Sequence, residues 1–137
     1  MNIRLRKNIA QRGVAIIETA LTLPLILMVL FGTINYGIAL YNKAVITNAS
    51  REAARFGVVF SSSGLNATDV ANKAKTYCAD KLISFGGTPV ASVTVTTPGE
   101  DVLVNVSYQF QSVASGLIPG MSSLMTLSAQ TQMKREV

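Results

Sequence analysis

The chain is 137 residues long, 49% apolar and only 14% charged, with a formal net charge of +5. That length accommodates one modest domain plus an appendage, and so apolar a composition points to membrane contact. Four bases (Arg4, Arg6, Lys7 and Arg12) fall in the first thirteen residues with no acid among them, which leaves eight bases against seven acids in the rest, too even a balance to build a nucleic-acid-binding face.

Behind this basic leader (1–13) lies a long apolar run. From Val14 to Asn42, Glu18 is the only charged residue. Residues 21–40 alone provide enough helix, at 1.5 Å per residue, to cross a hydrocarbon core of about 30 Å. Thr22, Thr33 and Asn35 can bond within or between helices, and Pro24 removes one backbone donor near the start of the span. The bases precede the span and only Lys43 follows closely, so the positive-inside rule places the N-terminus in the cytoplasm and everything after about Tyr41 in the periplasm or outside the cell. A cleaved secretory signal is the alternative, but its apolar core is about 7–15 residues long and ends in a small-x-small site, which "GIALYNKA" does not supply.

A carboxylate at bilayer depth costs a few kcal/mol and normally marks a specific partner, although near the headgroups hydration alone makes it tolerable. Depth does not account for the order of residues around Glu18: a basic leader ending in "RG", four apolar residues, the acid, then the apolar run. That order resembles the type IV prepilins, which implies cleavage after Gly13 by a prepilin peptidase. Val14 would become the first residue and Glu18 the fifth. The new α-amino group of one subunit and the Glu18 carboxylate of another could then pair in low dielectric.

"RGVAIIETALTLPLILMVLFGTINYG" followed by "NASREAARFGV" resembles the TadE-like minor pseudopilins of tight-adherence (Flp-type) pilus systems, and the closing "LSAQTQMKREV" resembles the end of the same family. The resemblance implies a structural or assembly subunit of an adhesion pilus in the bacterial inner membrane. Its partners would be other pilin subunits, the prepilin peptidase, an inner-membrane assembly platform and the lipid bilayer. Thr19 departs from the pattern, since processing motifs of such pilins often carry an aromatic residue after the glutamate.

Past the membrane the helical period continues: Val45, Ala49, Ala53, Phe56 and Phe60 recur at intervals of three and four, with Lys43, Thr47, Arg51 and Arg55 toward the other face. The span and its extension predict one helix from Val14 to about Gly57, a plausible stop, and roughly 65 Å of length. Arg51, Glu52 and Arg55 read either as a solvated face, with Glu52 near Arg55, or as subunit contacts; Pro24 is a further candidate contact in the span. "SSSGLNATD" predicts a loop, with Asn66 or Thr68 capping a second helix whose stripe Val70, Ala74, Cys78 and Leu82 places the single cysteine in a core. Three alternating segments follow, around Val93 and Val95, from Val102 to Phe110, and from Met125 to Met133, joined by "TPGE" and "SGLIPG".

The fold class expected is therefore α+β: a long N-terminal transmembrane and stalk helix, a second helix, and a small three-stranded antiparallel sheet. The divisions are a leader at 1–13, a transmembrane helix at 14–41, and an exported domain at 42–137 (helix extension 42–60, helix 67–85, sheet 90–133). The chain has no histidine, no cysteine pair, no glycine-rich phosphate loop and no acidic cluster at metal spacing, and Glu100 and Asp101 are adjacent in a turn. No catalytic, metal or cofactor site converges, so an enzyme is not expected. The competing readings are an uncleaved single-span anchor carrying a binding module, and a periplasmic pilus assembly factor.

Overall fold

Apolar residues and good helix formers, interrupted only by Pro24, make one helix, α1 (Ile3–Val59), in a computed structural model that describes residues 3–59, 66–85, 88–98, 101–112 and 124–134. At 57 residues α1 is about 85 Å long. It begins well before Val14, because the leader contains no proline and is rich in residues that favour helix. It also runs past Gly57. That glycine is not a stop: it is buried where α1 meets its neighbours, and a Cβ there would lie 3.0 Å from Val102 Cγ1 and 3.5 Å from Val70 Cγ2. Phe60, residues 61–65 and the "SGLIPG" segment lie outside the described residues.

Helix α2 (Ala67–Ala79) starts at Asn66, whose side chain accepts from the Thr68 N–H at 3.3 Å, and Asp69 sits in its positive first turn. Val70, Ala74, Cys78 and Leu82 are all buried, as their spacing predicts. Burial pushes the Cys78 thiol pKa up. The helix ends at Ala79, not at residue 85. Lys81 N–H and Leu82 N–H both donate to the Cys78 carbonyl, and the next backbone groups, those of Ile83, are taken by a side chain of α1.

The strands β1 (Ala91–Thr96), β2 (Asp101–Gln111) and β3 (Leu124–Lys134) form an antiparallel meander in the order β1-β2-β3. Asp101 closes the turn, its N–H donating to the Pro98 carbonyl at 3.2 Å, and also opens β2, where its carboxylate accepts from Gln132 Nε2 at 2.8 Å. Every second residue of β2 (Val102, Val104, Val106, Tyr108 and Phe110) is buried, making the central strand the floor of the core. α1 covers β2 and β3, and α2 covers β1 and packs on α1. The fold is α+β.

Four contacts set how the sheet lies on α1. Gly57 faces Val102 at one end, and Asn35 Nδ2 donates to Ser112 Oγ at 3.0 Å at the other. The 22 helical positions between them rise about 33 Å, and the 10 strand positions extend about 33 Å. β2 thus runs back along α1 over its full length. On β3, Lys43 Nζ donates to the Ser128 carbonyl and the hydroxyls of Ser50 and Thr131 bond at 2.7 Å. Seven helical positions there match three strand positions, each about 10 Å. The sheet therefore begins on α1 at Asn35, inside the segment 14–41 that the sequence assigns to the membrane, because a buried polar group on that face is partnered by the end of β2.

Gly57→Ala measures the close approach at the other end. Alanine gains up to about 1 kcal/mol of helix propensity. Against this, Val102 is fully buried and β-branched, so overpacking costs about 1–3 kcal/mol. Overpacking is the larger effect, and thermal unfolding of the full chain in detergent should show a net loss of about 1 kcal/mol, with a larger loss for Gly57→Val.

Candidate membrane and assembly helix

The first half of α1 is bare. From Gly13 to Ile26 every residue is exposed, Leu27, Met28, Phe31 and Gly32 are half-buried, and Asn35 is the first buried residue. An 18-residue window within Gly13–Val59 has a mean hydropathy of 2.4 with none of it buried, so α1 is long and apolar enough to cross a membrane. A helix face of this character in water would be an open hydrophobic surface larger than soluble monomers tolerate.

The polar groups along it are arranged for an apolar surrounding. Thr19 Oγ1 donates to the Ala15 carbonyl at 2.9 Å, Thr22 Oγ1 to the Glu18 carbonyl at 2.9 Å, and Thr33 Oγ1 to the Val29 carbonyl at 2.8 Å. Each hydroxyl is satisfied within its own helix, four residues back, and presents its methyl group outward. Pro24, also exposed, cannot donate to the Ala20 carbonyl, yet the helix passes through it.

Gly13 and Val14 lie open on the helix, with nothing within 4 Å of a Cβ at Gly13. Glu18 is exposed one turn beyond Val14 on the same face, about 6 Å further along the axis. Among the described residues no side chain pairs with its carboxylate. Its neighbours four residues either way, Val14 and Thr22, offer it no cation. The second group of sequence candidates is far away: Arg51, Glu52 and Arg55 are exposed on the outer half of α1, about 50 Å from Glu18. No ion pair links them among the described residues, so the spacing of Glu52 and Arg55 does not produce a helical salt bridge. The structure thus separates the candidates into an inner group (Gly13, Val14, Glu18, Pro24) and an outer one.

Sequence reasoning missed the polar pins that seat the domain. Asn42 is fully buried: its Nδ2 donates to the Ile83 carbonyl at 2.9 Å and its Oδ1 accepts from the Ile83 N–H at 3.0 Å, while the Tyr108 hydroxyl also donates to that carbonyl at 3.2 Å. Ser50, likewise fully buried, donates to the Thr47 carbonyl at 2.8 Å besides meeting Thr131. The available signal was their position: Asn35, Asn42 and Ser50 stand on the same stripe as Ala39, Val45, Ala49 and Ala53.

An apolar bare half-helix continuing into a stalk that carries a small α+β domain is the arrangement of a protein that a single helix can anchor in a membrane. Residues 13–55, from the glycine of the leader to the last residue of the outer charged group, match the TadE-like protein family. That family is one of pilus structural and assembly proteins. No curated protein and no solved structure matches the chain.

Proposed function

We propose that the protein is a minor pseudopilin: a structural or assembly subunit of a tight-adherence (Flp-type) pilus, cut after Gly13 by prepilin peptidase and packed beside other pilin helices through residues 14–34 of α1. The observation that carries this reading is the placement of Glu18 relative to Asn35. The exported domain occupies α1 from Asn35 onward, so the hydrocarbon must lie below it. Twenty residues back from Ile34 span about 30 Å and reach Ala15. Glu18 then lies about 5 Å inside the cytoplasmic edge of the hydrocarbon, deeper than a span at 21–40 would put it. At that depth a lone carboxylate costs a few kcal/mol.

Cleavage supplies the matching charge. An α-amino group at Val14 of a neighbouring subunit, offset along the fibre axis, can meet Glu18 where water is scarce, and each group relieves the other's desolvation. Glu18 is thus a burden in the single subunit and satisfied in the assembly. The outer group, Arg51, Glu52 and Arg55, is exposed, unpaired among the described residues and part of the family match, which supports a role in subunit contacts beyond the membrane. The orientation follows from the leader: N-terminus cytoplasmic, domain periplasmic, in the bacterial inner membrane.

The test is the intact mass of the protein taken from membranes of its native cell. A chain beginning at Val14 is expected. A chain that keeps its leader would make α1 a permanent anchor, and the domain a tethered binding module or assembly factor.

A further inference from the structure

The geometry points to a second membrane contact: the inner end of the sheet and the adjoining turn of α1 form an apolar ledge, made of Tyr36, Leu40, Leu124 and Met125, that rests in the interfacial region of the lipid leaflet on the domain's side. The inference rests on residues 14–34 being the membrane span.

Its level is set by the Asn35–Ser112 hydrogen bond, which holds the end of β2 beside the helix residue that follows the span. Leu124 pairs with Gln111, the neighbour of Ser112, and Met125 pairs with Phe110. They therefore stand about 3 and 7 Å beyond the level of Asn35, on opposite faces of the sheet, close to where α1 leaves the hydrocarbon. They are 55% and 43% exposed, while Tyr36 and Leu40, one turn apart on α1, are 66% and 52% exposed. Four large apolar or amphipathic side chains thus lie open to the surroundings within about one helical turn of height.

Charge is distributed to match. α1 has no charged residue between Glu18 and Lys43, β2 none after Asp101, and β3 none before Lys134. Asp101 and Lys134 are register partners at the far end of the sheet, beside the outer end of α1. One end of the sheet is thus charged, and the end nearest the span carries leucine, methionine and uncharged polar residues. Tyrosine immediately beyond a span is the residue that membrane interfaces favour, and apolar side chains at this level bury about 5–10 Å into the headgroup and acyl boundary. A second copy of the chain would not need this end-to-end asymmetry; a lipid surface at that height does.

The chain has no tryptophan, so a single one can report position. Leu124→Trp, Leu25→Trp and Thr96→Trp are made separately in the full chain and reconstituted at high lipid-to-protein ratio into vesicles. The vesicle lipids are brominated near the top of the acyl chains in one set and near their middle in another. Leu25→Trp should be quenched by the deep bromines, and Leu124→Trp should shift to the blue and lose about half of its emission to the shallow ones. Thr96→Trp, exposed at the far, charged end of the sheet where Thr96 pairs with Leu103, should be unaffected. Met125→Trp repeats the measurement should Leu124→Trp misfold. Leu25→Trp quenched with both ledge tryptophans water-like would overturn the ledge and leave the span intact. Leu25→Trp unquenched by either set would overturn the span and the ledge together.

Discussion

Glu18→Ala is expected to abolish co-assembly with other pilin subunits while leaving the protein folded and in the membrane. The two halves of that result have separate causes. Among the described residues the Glu18 carboxylate bonds to nothing within the chain, and the first buried residue of α1 is Asn35, about 25 Å away along the axis. The substitution therefore removes no contact that holds the domain. Alanine also has the higher helix propensity and is more easily buried in lipid, so the single subunit should insert at least as well. What is lost is the partner for the α-amino group of a neighbour. Left alone in low dielectric, that amine faces a desolvation cost of several kcal/mol, which corresponds to a loss of at least about a hundredfold in the assembled fraction. The measurement is the amount of protein in the sheared pilus fraction against the amount in membranes. Glu18→Gln separates charge from hydrogen bonding and should fail nearly as badly. Assembly at the native level in either variant would sink the account of Glu18.

The largest expected effect on stability is at Asn42. Its amide closes a two-bond clamp on the backbone of Ile83 and is fully buried. In Asn42→Ala the Ile83 carbonyl keeps the Tyr108 hydroxyl, but the Ile83 N–H loses its acceptor. An unsatisfied buried donor costs about 1–3 kcal/mol, and the lost volume adds a smaller cavity cost. The sum, about 2–4 kcal/mol, is a large share of the roughly 5–15 kcal/mol available to a domain. The loss of sheet structure on heating the full chain in detergent should therefore shift downward by about ten degrees or more. Asn48→Ala is the control: the same change at an exposed position of the same helix should move the midpoint little. Equal midpoints for the two variants would mean that water replaces the Asn42 clamp.

Much of this architecture is legible in periodicity. The alternation of Val102, Val104, Val106, Tyr108 and Phe110 gives the central strand without a miss, and the four-residue stripe of Val70, Ala74, Cys78 and Leu82 gives the buried face of α2. Both work because the repeat of the element coincides with one apolar surface. The spacing of Glu52 and Arg55 misled as a pairing, since exposed charges have little to gain from being held together. Gly57 misled as a helix stop, because composition does not distinguish a glycine needed for its backbone from one needed for its missing side chain.

By itself the sequence determined the bare apolar half-helix, the isolated Glu18 one turn beyond Val14, the α+β composition of the remainder and the likeness to TadE-like proteins, because each depends on neighbours a few residues apart. Only the tertiary structure decided where on α1 the domain begins. That boundary depends on partners far apart in the chain, Asn35 with Ser112, Asn42 with Ile83, and Ser50 with Thr131, and on the match of about 33 Å between 22 helical and 10 strand positions. Hydropathy registers Asn35 and Asn42 as mild interruptions in an apolar run. Burial makes them the points at which unsatisfied polar groups would be most costly, and so the points that set the sheet on the helix.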